Sequence, residues 1–94
     1  MLIAIDYDFT YSEDPDAWDA MIASFRARGH TFVCVTGRHC PPDPVRERQI
    51  PMPVICAPDG FKADAARKAG YKVDVWIDDM PGTIENPQIL DFGD

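Results

Sequence analysis

Hydrophobic residues in this chain come in short unbroken runs, and two of those runs end in acid. Leu2, Ile3, Ala4 and Ile5 lead straight into Asp6, Tyr7, Asp8, Phe9 and Thr10. Four apolar residues without alternation predict a strand buried on both faces, as in a parallel sheet. A polar break follows from Ser12 to Pro15, where Asp14 and Pro15 fit the N-cap and first position of a helix. Trp18, Met21, Ile22 and Phe25 then recur at i, i+3, i+4 and i+7, which makes one apolar helical face with Trp18 and Phe25 expected in the core. Arg26, Arg28 and Gly29 supply a stop. The β-branched and aromatic stretch 31–35 predicts a second strand that runs into Thr36, Gly37 and Arg38. Strand, helix and strand within so short a span form a βαβ unit whose crossover is right-handed.

Pro41, Pro42 and Pro44 interrupt the pattern, and Asp43 with Pro44 could open a short helix through residue 49. A short apolar strand is expected over 53–57, and the Asp59-Gly60 turn follows it. Next comes an alanine-rich helix over 61–69, ending before Gly70. Val73, Val75 and Ile77 predict a fourth strand, which meets Asp78 and Asp79 as the first meets Asp6 and Asp8. Pro81, Gly82 and Pro87 mark a loop, and 89–92 could add an edge strand.

Ninety-four residues suffice for one domain, 1–94, with one core and no room for a second. Hydrophobic residues are 46% and charged residues 27%, an ordinary globular balance, and no apolar run approaches the ~18 residues of a membrane span. A soluble protein is therefore expected. The first residues lack a basic segment followed by a longer apolar stretch, so no secretory signal is expected and the default location is cytoplasmic. Cys34, Cys40 and Cys56 are odd in number and none sits two residues from another, which predicts reduced thiols. Sixteen acidic against nine basic residues give a formal net charge of −7, which disfavours general adhesion to duplex nucleic acid.

The candidate chemistry lies at the strand ends. Residues two apart on extended backbone point the same way, so Asp6 and Asp8 are expected to set two carboxylates near one point. That point is the carboxyl edge, where open α/β sheets bind ligands. Close carboxylates repel unless a cation separates them or one stays protonated, and Mg2+ accepts such oxygens. A second pattern, His39-Cys40 with Arg46, matches the spacing of cysteine-dependent phosphatases. Three of its five intervening residues are prolines without an amide hydrogen, so it cannot build their phosphate cradle.

Taken in order, IAIDYDFT at 3–10, VTGR at 35–38, Lys62 and WIDD at 76–79 resemble the haloacid dehalogenase superfamily of phosphotransferases. The resemblance implies a three-layer Rossmann-like α/β fold with a mainly parallel sheet in the order 5-4-1-2-3. It also implies a Mg2+-dependent phosphomonoester hydrolase working through an aspartyl-phosphate. Asp6 would be the nucleophile, Asp8 the general acid and base, and Thr10 a support for the loop. Thr36 and Gly37 would hold phosphoryl oxygens, and Lys62 would pair with Asp6 and the transferring group. Asp6, the Asp8 carbonyl, Asp78 and Asp79 would hold Mg2+, with Asp79 favoured as the direct ligand and Asp78 through water. Lys68 or Lys72 could take the place of Lys62.

The chain departs from the family in having few residues between Thr10 and the first helix and no room for a cap domain. An open site favours an exposed phosphate on a nucleic-acid end or a protein, with small nucleotides and sugar phosphates left open. A second copy or a partner protein could supply a lid. The competing reading is a phospho-ligand or metal-binding regulatory protein that keeps the fold without turnover. A receiver-like module is disfavoured, since it needs an acid at the end of the third strand, where Cys56, Ala57 and Pro58 stand.

Overall fold

The computed structural model describes residues 1–40 and 50–85. Four short strands, β1 (Leu2–Ile5), β2 (Thr31–Thr36), β3 (Val54–Cys56) and β4 (Val75–Ile77), form one sheet in the order β3-β2-β1-β4. Every neighbouring pair is parallel, with Ile5 level with Cys34 on one side and with Ile77 on the other. These four strands stand in the expected relative order, and the edge strand expected over 89–92 and the helix over 44–49 lie outside the described residues. No helix among the described residues is long and apolar enough to cross a membrane.

Burial on both faces explains the unbroken apolar runs. Ile3, Ile5, Phe32 and Cys34 join one cluster with Tyr11 and Ile22, while Ala4, Val33 and Val35 form a second with Tyr71 and Trp76 packed against it. Neighbours along each strand thus alternate between clusters, as the pleat requires. Helix α1 (Pro15–Arg26) brings Ile22 to the first cluster, and helix α2 (Lys62–Lys68) leads into Tyr71 on the second.

The helix ends follow their local chemistry. Asp14 accepts from the Ala17 amide at 3.2 Å, with Pro15 at the first turn, as its sequence predicts. After each helix the amides of a glycine and the next residue bond back to the last turn. Gly29 and His30 reach the Arg26 and Phe25 carbonyls; Gly70 and Tyr71 reach those of Arg67 and Ala66. Both glycines have φ near 90°, which makes this closure accessible without strain.

Two expectations are corrected. Phe25 is 37% exposed: it sits in the last turn of α1, a turn beyond Ile22, edge-on against Phe32 and beside His30. The cysteines are not all thiols: Cys40 and Cys56 form a disulfide and only Cys34 is free, buried in β2. Spacing misses this pair because parallel pairing of β2 with β3 sets Thr36 opposite Cys56, which brings residue 40, just past β2, near the end of β3. The cysteine argument for a reducing compartment goes with it.

Candidate functional site

The sheet's register builds the site. With Ile5 opposite Ile77, the next residues on each strand are Asp6 and Asp78, and the Asp6 amide donates to the Ile77 carbonyl at 2.9 Å. The chain then turns at once: the Tyr11 amide bonds the Asp6 carbonyl, and the Thr10 and Ser12 amides bond that of Tyr7. This turn returns Thr10 to the acids. Its hydroxyl lies 3.4 Å from Asp6 Oδ2 and 3.2 Å from Asp79 Oδ1, one proton offered to two acceptors. The Trp18 indole fixes the turn from α1 by donating to the Thr10 carbonyl at 2.8 Å.

Lys62 enters from the first turn of α2. Its Nζ donates to Asp6 Oδ1 at 2.9 Å and Asp78 Oδ2 at 2.7 Å, with all three side chains almost sealed from water. Lys68 and Lys72 lie exposed, so Lys62 is the lysine that meets Asp6. Burial pushes the Asp6 carboxyl up to about 6, and Asp79 and Asp78 add to this against the pull of Lys62. Burial also works against the Lys62 ammonium, but its bonds to Asp78 and Asp6 outweigh that and raise its pKa.

The two adjacent acids differ. Asp78 has both oxygens engaged, Oδ2 by Lys62 and Oδ1 by the Met80 amide at 2.9 Å. Asp79 is exposed and is held through Oδ1 by Thr10 alone among the described residues. Asp6, Asp78 and Asp79 each bring a carboxylate oxygen within 4.8 Å of the others. Three carboxylate oxygens so grouped are a hard, anionic donor set of the kind that could hold a divalent cation.

Asp8 behaves otherwise than expected. β1 stops at Ile5 and residues 7–10 are turn, so alternation no longer relates Asp8 to Asp6. Its carboxylate instead faces Arg38, which donates through Nε at 2.9 Å and Nη2 at 2.7 Å while its guanidinium stacks 5.1 Å from the Tyr7 ring centre. Nothing in the sequence beyond the position of Arg38, after Thr36-Gly37, signals this fork-to-fork pair. Thr36 is wholly buried, and its hydroxyl accepts from the Arg38 amide at 3.3 Å. Gly37, not Thr36, lines the cleft, and a Cβ there would meet no protein atom.

Asp6, Asp8, Gly37, Lys62 and Asp79 line one open cleft of about 320 Å³ at the carboxyl edge of the sheet. Cys40, the cysteine of the rejected phosphatase pattern, is bonded to Cys56 and carries no thiol, and Arg46 lies outside the described residues. No family model, curated protein or solved structure matches the chain.

Proposed function

We propose that this chain is a Mg2+-dependent phosphomonoester hydrolase of the haloacid dehalogenase type, without a cap. The observation that carries the reading is the Asp6 carboxylate, buried beside an ammonium and two further acids yet opening on a cleft. Such an arrangement costs stability unless charge is brought to it.

In this mechanism an Asp6 oxygen attacks phosphorus and the bond to the leaving oxygen breaks, giving an aspartyl-phosphate. Asp8 gives its proton to the leaving oxygen, then takes one from the water that attacks the same phosphorus and frees Asp6. Lys62 offsets the charge on the transferring group, and the Gly37 amide is placed to hold one of its oxygens. Thr10 keeps the Asp6 and Asp79 carboxylates in register. Mg2+, held by Asp6, the Asp8 carbonyl and Asp79, with Asp78 behind, would supply positive charge that lets an anion approach an anion. The partly unengaged Asp79 supports its role as direct ligand; Asp78 is taken up by Lys62 and Met80.

One observation favours the alternative, a phospho-ligand or metal-binding regulatory protein without turnover: Arg38 occupies both oxygens of Asp8. In a hydrolase Arg38 must release Asp8, and a substrate phosphate is the natural acceptor for its fork. Release of inorganic phosphate from p-nitrophenyl phosphate, requiring Mg2+ and lost in Asp6→Asn, is the expected result. Failure to hydrolyse any of a panel of nucleotides, sugar phosphates, phosphopeptides and DNA 3′-phosphates, with Mg2+ still raising the melting temperature, would establish the regulatory reading.

A further inference from the structure

Phe9 occupies a position that folding alone does not reward. It stands between Asp8 and Thr10 with φ 61°, alone among the described non-glycine residues in having a positive φ. A bulky side chain there is a true outlier, of the kind that gathers at ligand clamps. Its ring gains little from burial, being 73% exposed. The turn is held by the Phe9 amide, which donates to Ser12 Oγ at 3.1 Å. Met80, directly after Asp79, is 60% exposed and lines the same cleft. Each acidic segment of the site thus carries one exposed apolar side chain at its next position.

We propose that Phe9 and Met80 form an apolar clamp at the cleft that selects phosphomonoesters carrying a flat ring, as nucleoside monophosphates and aryl phosphates do. This rests on the phosphate reading of Asp6 and Lys62. A phosphate seated there leaves the rest of its ester alongside Phe9 and Met80, whose ring face and thioether favour a planar π-system. The cleft, about 320 Å³, is at the small end of ligand sites and suits one small ester. The net charge of −7 disfavours a long polyanion.

Binding is read by calorimetric titration with Mg2+ in an Asp6→Asn background, which blocks turnover, and turnover by phosphate release in the otherwise unchanged protein. The probes are adenosine 5′-monophosphate and phosphotyrosine against ring-free glycerol 2-phosphate and phosphoserine. Ring-bearing esters should bind at least about ten-fold tighter, and Phe9→Gly should cut that preference below about three-fold while leaving the ring-free esters unchanged. The same substitution should raise the melting temperature, since glycine adopts a positive φ freely. A role for Phe9 in folding predicts the reverse, a lower melting temperature and equal loss for both classes, and that result overturns the clamp. Equal kcat/KM for ring-bearing and ring-free esters also overturns it while leaving the hydrolase standing. Ring-selective binding without phosphate release from any ester leaves the clamp and removes the hydrolase; no binding of any ester removes both. Whether the nucleotide or phosphotyrosine binds tighter identifies the source of the ring.

Discussion

Burial pushes the Asp6 carboxyl up to about 6 even with the Lys62 ammonium 2.9 Å away, so desolvation outweighs the ion pair. The consequence for stability has a definite sign. Between the ordinary value of 3.8 and about 6 the folded protein holds more of the Asp6 proton than the unfolded chain, so stability falls as pH rises through that window. In chelator, Asp6→Asn should exceed the natural protein in stability at pH 7, by on the order of 2–3 kcal/mol, with the gap closing near pH 4. Urea denaturation at several pH values reads this, and parallel curves for the two proteins would contradict it. Lys62→Met should act the other way, because it leaves the Asp6 and Asp78 carboxylates buried without their shared cation; a loss of about 3–5 kcal/mol is expected in the same assay. The acids could be named from sequence because runs of apolar residues ending in acid are visible in one dimension, whereas Lys62 is implied only by the family resemblance, with Lys68 and Lys72 as alternatives. The Arg38–Asp8 pair could not, since it joins two loops thirty positions apart.

At the scale of elements, local chemistry decides most boundaries. Asp14-Pro15 starts α1, glycines close both helices, and each strand is a run of apolar residues within a position or two of where the sequence puts it. Elements end sooner than their patterns suggest where a turn forms, as after Ile5, so Asp8 reaches the cleft from a turn and not from extended backbone. The disulfide adds a link that no element carries alone: Cys40, just past β2, is tied to Cys56, the last residue of β3, across 16 positions. Closing a loop of that length in the unfolded chain is worth about 3 kcal/mol in the chain-entropy account. Dithiothreitol should therefore lower the melting temperature of the natural protein and leave a Cys40→Ser, Cys56→Ser protein unmoved. An unchanged melting temperature on full reduction would show that the bridge adds nothing to the fold.

Across the whole molecule, the sheet gathers carboxylates from segments more than seventy positions apart in a chain already of net charge −7. A divalent cation that binds only the folded form should stabilise it by mass action, by about 2.7 kcal/mol at a hundred times its dissociation constant. Mg2+ should raise the melting temperature of the natural protein, and Asp79→Asn should abolish most of that rise while barely altering the melting temperature in chelator. Equal Mg2+ shifts in both proteins would place the ion elsewhere. By itself the sequence determined the parallel α/β arrangement, the helix starts and stops and the acids at the strand ends, because those follow from burial on two faces, helical period and capping, all local along the chain. Only the tertiary structure decided that Lys62 rather than Lys68 or Lys72 meets Asp6, that Gly37 rather than Thr36 opens on the cleft, that Asp8 is held by Arg38, and that Cys40 joins Cys56. Each of these depends on how segments distant in sequence are brought into register, and strand pairing and helix packing set that register in three dimensions.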